Sequence, residues 1–154
     1  MLIVSDTTPL HYLILIDQAN LLPRLFARIL IPTAVVAEMS HERTPLAVKT
    51  WMRSLPAWLD VQSPSAETVR RVTGLDKGET EAIALAIETN AEALLLDDRK
   101  GVREAVKRNI LVISTLGILE LASARNLISL ADAIADLRKT NFWMPPQELL
   151  DEIL

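Results

Sequence analysis

One recurring unit constrains this chain more than any other feature. A short apolar run is followed by a residue suited to capping a helix, and then by a stretch of helical periodicity. LIVS at 2–5 leads into Asp6, with Thr7 and Thr8 as capping hydroxyls and Pro9 suited to a first helical turn, so a helix is expected from about Pro9 to Asp17. RILI at 28–31 precedes Pro32, Thr33 and the helical segment AVVAEM, which sets Glu38 about one turn in. GLDKGETEAIALAIETN reads as a long helix, EALLLDD as a buried strand, RKGVREAVKRN as a helix, ILVIS as a strand and TLGILELASARN as another helix. Apolar runs alternating with helices are the pattern of parallel strands joined by crossovers, so the fold class is α/β.

Two regions read differently. Between Thr44 and Ser65, Trp51, Leu55, Trp58 and Leu59 suggest a packed helix, whereas Pro45, Pro56 and Pro64 interrupt it. The tail from about 130 to 154 reads as two helices joined at Met144-Pro145-Pro146, packed on the rest, with Phe142, Trp143 and Met144 closing the core or docking a partner. No repeat or low-complexity linker divides the 154 residues, so a single domain over 1–154 is expected.

Composition narrows the chemistry. With no cysteine, disulfides, zinc–thiolate sites and cysteine nucleophiles are excluded, and oxygen ligands become the means of holding a metal. The N-terminus lacks a basic region and cleavage site, and no apolar run reaches the ~18 residues of a membrane span, so a cytoplasmic location is expected. A formal charge of −4 gives no general attraction to nucleic acid, unless clustered acids bind a divalent cation that reverses the local sign.

The acids that can cluster are few. Ligands of open parallel sheets bind beyond the carboxyl ends of the strands, where Asp6 and the pair Asp97-Asp98 stand. An Asp in such a place also serves as an ordinary helix cap. Glu79 and Glu81 lie about 200° apart on a helix, so only one can face the site. Glu79 shares its stripe with Ala82, Ile83 and Ala86, the face expected on the sheet, while Glu81 sides with Leu85 and Glu88. Glu38, among Val35, Val36 and Met39, is expected to be embedded in an apolar face and to need a cation or a salt bridge to Arg43 or Lys49.

Carboxylates from four separate elements suit Mg²⁺ or Mn²⁺, and the chemistry they suggest is phosphoryl transfer to water without a protein nucleophile. Arg99, Lys100, Arg103, Lys107 and Arg108 form the densest basic stretch, a solvated face or a phosphate-contacting one beside the acids. His11 is expected to pack and His41 to lie at the surface. Ser5 has no nearby His for a triad, and neither GxGxxG nor a Walker A motif occurs. Another Mg²⁺-dependent phosphoryl-transfer domain, such as a receiver, would need an acidic pair at strand 1 and a lysine after the last strand. A non-catalytic binding module stays open as an alternative.

The motifs VSDTTPLHYL, IPTAVVAEM, LDKGETEAIALA, LLLDDRKGVREA and STLGILELA together resemble those of the PIN-domain nucleases, and within them the VapC-type ribonuclease toxins of bacterial toxin–antitoxin pairs. The resemblance spans nearly the whole chain. It implies a three-layer α/β/α sandwich with a central parallel sheet of four to five strands and cleavage of RNA dependent on Mg²⁺ or Mn²⁺. A homodimer and a small cognate antitoxin are implied as partners. Its four-acid pattern maps onto Asp6, Glu38, Glu79 and Asp98, with Asp97 as a neighbouring metal ligand and Asp98 ranked above it by the resemblance alone. Glu79 stands where Asp is commoner, and Ser114-Thr115 where Gly-Thr is usual. Thr7 and Thr115, with Arg99, Lys100 and Arg103 of the basic stretch, are the candidate substrate-contacting residues, and Thr115 is also expected to bond a ligand carboxylate or water.

Overall fold

The computed structural model describes residues 1–153. Five strands, β1 (Leu2–Ser5), β2 (Arg28–Ile31), β3 (Leu59–Val61), β4 (Ala93–Leu95) and β5 (Val112–Ile113), form one sheet in the order β3-β2-β1-β4-β5. Every pairing is parallel. The runs LIVS and RILI become β1 and β2 with the ends expected of them.

Alternation along the strands gives each face its own core. Ile3, Ile29, Ile31 and Leu95 point to one side. There they meet Leu10 and Leu13 of α1 (Thr7–Leu15), Val35 and Met39 of α3 (Thr33–Met39) and Ile118 of α8 (Thr115–Ala124). Val4, Leu30 and Leu94 point the other way, onto Ala82, Ile83, Leu85 and Ala86 of α6 (Lys77–Thr89) and Ala105 of α7 (Arg99–Lys107). The result is a three-layer α/β/α sandwich. The shorter α2 (Leu21–Leu25), α4 (Leu46–Met52) and α5 (Ala66–Arg70) fill its edges. The tail forms α9 (Leu130–Arg138) and α10 (Gln147–Ile153), whose Leu137 and Leu150 are buried in the first core. Among the described residues no helix is long and apolar enough to cross a membrane.

Two expectations are corrected. The 44–65 stretch is not one helix: α4 ends at Met52, Leu55 and Trp58 pack on the core, and Leu59 opens the edge strand β3. Helix α1 starts at Thr7 rather than Pro9 and ends at Leu15, because Asp17 takes a left-handed φ of 57° that terminates it.

The strand order fixes where a site can form. The chain begins in the middle of the sheet, adds β2 and β3 on one side, then returns to add β4 and β5 on the other. The turning point lies between β1 and β4, where helices leave the two strands in opposite directions and open a crevice. Register sets Ser5 opposite Leu95, and the Asp6 amide donates to the Leu95 carbonyl at 2.9 Å. Asp6 and Asp97 therefore stand side by side at the carboxyl edge.

Candidate active site at the carboxyl edge

Asp6 occupies the N-cap position of α1, yet its side chain caps nothing. It is 5% exposed, and its Oδ1 is buried without a hydrogen-bond partner. Burial, opposed by the Thr7 backbone and reinforced by the charges of Glu38, Asp76 and Asp97, pushes its carboxyl from 3.8 up to about 7. A carboxylate with an orphaned buried oxygen among other carboxylates is costly unless a cation completes it.

Glu79 arrives from the first turn of α6 and is buried. A Cβ added to Gly101 would lie 3.2 Å from its Oε2, which places Glu79 against the first turn of α7, beside Asp98. Burial, then the charge and hydrogen bond of Asp76 and the charges of Asp98 and Asp6, raise its carboxyl from 4.5 to about 8. Glu81 points elsewhere: its Oε1 accepts from the Ala34 amide at 3.0 Å and the Thr33 hydroxyl at 3.2 Å, closing the open end of α3.

Glu38 departs from expectation. Its side chain is exposed rather than embedded, and it pairs with neither Arg43 nor Lys49 among the described residues. It is the sixth residue of the seven in α3, so it leaves the helix at the edge facing the crevice. There its Oε2 accepts from the Thr7 hydroxyl at 2.5 Å, and its carboxylate lies against Gly78, where any Cβ would collide with it. The lack of a side chain at Gly78 is what allows this carboxylate its present position.

The Asp97-Asp98 pair divides its work. Asp97 Oδ1 and Oδ2 accept from the Thr115 amide at 3.0 Å and the Thr115 hydroxyl at 2.5 Å. Burial raises the Asp97 carboxyl, and those two bonds oppose the rise. Asp98 is exposed and caps α7, its Oδ2 accepting from the Lys100 and Gly101 amides at 3.1 and 3.2 Å. Thr115 is itself fully buried with both donors committed, so it orients Asp97 and cannot meet substrate. Thr7 donates its hydroxyl proton to Glu38 and stays partly exposed.

Asp76 is the member that sequence reasoning missed. Its Oδ1 accepts from the Glu79 amide at 2.8 Å, the contact of an ordinary N-cap, while its charge acts on both Asp6 and Glu79. The spacing Asp76-x-x-Glu79 resembles a capping box and was the available signal.

Basic groups frame the acids unevenly. Arg99 lines a cleft of about 880 Å³ together with Asp97, Asp98 and Ser114. Lys100 and Arg103 are exposed on α7, while Lys107 and Arg108 bond to Glu104. A second basin of about 500 Å³ holds Thr7, Glu38, His11, His41 and Arg43. His11 is half-buried and burial lowers its imidazole.

The donor set is wholly oxygen, which fits Mg²⁺ or Mn²⁺, and the orphaned Asp6 Oδ1 is the kind of atom such an ion satisfies. Among the described residues no three Asp, Glu or His side chains converge closely enough to hold a metal ion between them.

An open parallel sheet with carboxylates at the edge of its switch point defines the class, a three-layer α/β sandwich whose ligand site lies beyond the strand ends. The chain belongs to the PIN domain family DUF3368, whose pattern it matches over residues 2–154. A PilT N-terminus domain protein from the hyperthermophilic archaeon Sulfolobus solfataricus P2 is similar in structure, with 16% identity and a TM-score of 0.49, over 94% of this chain and 100% of that one. No match is found among curated proteins. A receiver-type site fits the chain poorly, since β1 ends in the single acid Asp6 and Ser114-Thr115, not a lysine, follows β5.

Proposed function

We propose that this chain is a Mg²⁺- or Mn²⁺-dependent endoribonuclease that hydrolyses RNA phosphodiester bonds at the carboxyl edge of its sheet. The supporting observation is Asp6, a buried carboxylate at a helix N-cap that caps nothing and leaves Oδ1 without a partner. Asp6, Glu38, Glu79 and Asp98 are the proposed catalytic ligands, with Asp97 beside them. A bound cation would activate a water and offset the charge of the phosphate and the leaving 3′-oxygen.

The protein's part is preorganisation. Thr7 holds Glu38, Thr115 holds Asp97, and the amides of α7 hold one oxygen of Asp98, leaving its other oxygen for a ligand. The N-termini of α1, α6, α7 and α8 all open onto this edge, where their dipoles favour carboxylates and phosphate oxygens. Arg99 is placed to meet phosphate in the cleft, and Lys100 and Arg103 extend that surface along α7.

The resemblance to VapC-type toxins extends the proposal to a toxin role, a small antitoxin partner, a homodimeric state and a cytoplasmic location. The test of the enzyme is cleavage of single-stranded RNA in Mn²⁺ by the purified chain, by Asp6→Asn and by Asp98→Asn. Activity in the parent that both variants lose supports the reading, and equal activity in all three rejects the site.

A further inference from the structure

We propose that the cleft beside the acids is a subsite for one unpaired nucleobase, stacked on Trp143. The inference rests on the nuclease reading and names the form of its substrate as single-stranded.

The segment after α9 crosses back over the carboxyl edge and is pinned there. Asn141 Oδ1 accepts from the Tyr12 hydroxyl at 2.7 Å, and the Phe142 ring meets Tyr12 edge-on, centroids 5.0 Å apart. Phe142 and Met144 pack on the core, so Trp143 between them faces outward and is 67% exposed. Only part of the expected aromatic core closure therefore occurs. An indole held this open by rigid neighbours forgoes burial of a large apolar surface.

Its position says what it meets. The Arg99 guanidinium carbon lies 6.0 Å from the Trp143 ring centroid, and Arg99 directly follows Asp98. The platform and the acids thus line one cleft, whose volume of about 880 Å³ accommodates a nucleoside. An aromatic face paired with a guanidinium is the surface on which bases of single strands stack, and it asks nothing of base identity. In a duplex both faces of each base are already stacked, so only an unpaired base can occupy it. Ser114 and Asn141 supply polar groups toward its edges. A base seated there carries its own phosphate toward Asp97 and Asp98.

The test is equilibrium binding, which needs no turnover. A labelled ten-nucleotide single-stranded RNA, and the same strand annealed to its complement, are titrated in Mn²⁺ onto Asp6→Asn, then onto that chain carrying Trp143→Ala or Trp143→Phe. Single-strand affinity is expected to fall about tenfold or more in the Ala variant, to fall much less in the Phe variant, and duplex binding to change in neither. Trp143 is exposed, so these variants keep the fold, as circular dichroism melts verify. Unchanged single-strand affinity overturns the inference, as does an equal loss on the duplex. Loss of self-association with RNA affinity intact also overturns it, because Trp143 then belongs to a protein interface. If the parent cleaves RNA in Mn²⁺ while the Trp143 variants match it in Kd and KM, this inference fails and the nuclease reading stands. If the parent cleaves no RNA, the nuclease reading fails separately.

Discussion

In the absence of metal, Asp6→Asn should stabilise this protein at pH 8 and leave it unchanged near pH 4. The Asp6 carboxyl rises from 3.8 in the unfolded chain to about 7 in the fold, chiefly through burial. An acid that holds its proton more tightly when folded contributes stability below its unfolded value. That contribution is lost as the pH climbs from about 4 to about 7 and is gone above it. At about 1.4 kcal/mol per pH unit, the displacement caps the loss at about 4 kcal/mol. Relaxation and water entry reduce the cap, and about half of it is the expected size. For a domain of this length, about 2 kcal/mol corresponds to about 4–8 °C in Tm. Glu79, raised from 4.5 to about 8, adds a decline of the same sign over a slightly higher window. The assay is calorimetric melting in a chelator between pH 4 and 8.5, with and without the substitution. The parent's Tm should fall with pH, the variant's should fall less, and Mn²⁺ should restore the parent alone. A flat parent profile, or a variant less stable than the parent at pH 8, would refute the reasoning.

Three further outcomes follow from single contacts. Gly78→Ala places a Cβ into the Glu38 carboxylate, the movable end of a flexible side chain, so Mn²⁺-dependent cleavage should drop at least tenfold while Tm falls little, read by nuclease assay and melting. Thr115→Val removes the hydroxyl donor to Asp97 and should weaken Mn²⁺ affinity about tenfold by calorimetric titration, with Thr115→Ser close to the parent. Glu81→Ala removes the closure of α3 and should cost about 1 kcal/mol with cleavage kept, whereas Glu79→Gln should abolish cleavage without that loss.

Much of this was legible from residue patterns because strand and helix periods differ. RILI is a four-residue run with clear ends, and β2 occupies those four residues. Helical phase alone separates Glu79 from Glu81, and the structure buries the first against Asp76 while the second closes α3. Other features carry no such periodicity. β3 is three residues at a sheet edge with Asp60 in its middle, bonded to Arg28 of β2 at 2.8 Å, so neither length nor apolarity marks it. Glu38 looked embedded because its sequence neighbours are apolar, but α3 buries only Ala34, Val35 and Met39, and Glu38 stays exposed beside Ala37. Asp76 was hidden because a helix cap and a site acid have the same sequence signature. Asp97 and Asp98 are adjacent, so only the positions of Thr115 and the α7 amides reveal that one is held by a neighbouring helix and the other by its own.

The most direct test of the central claim is Mn²⁺ binding and RNA cleavage measured on the same preparations of the parent, Asp6→Asn and Asp98→Asn. The account predicts that the parent binds Mn²⁺ and cuts single-stranded RNA, and that both variants stay folded while losing cleavage. A parent that neither binds Mn²⁺ nor cuts RNA, or an Asp6→Asn chain that cuts as well as the parent, would contradict it.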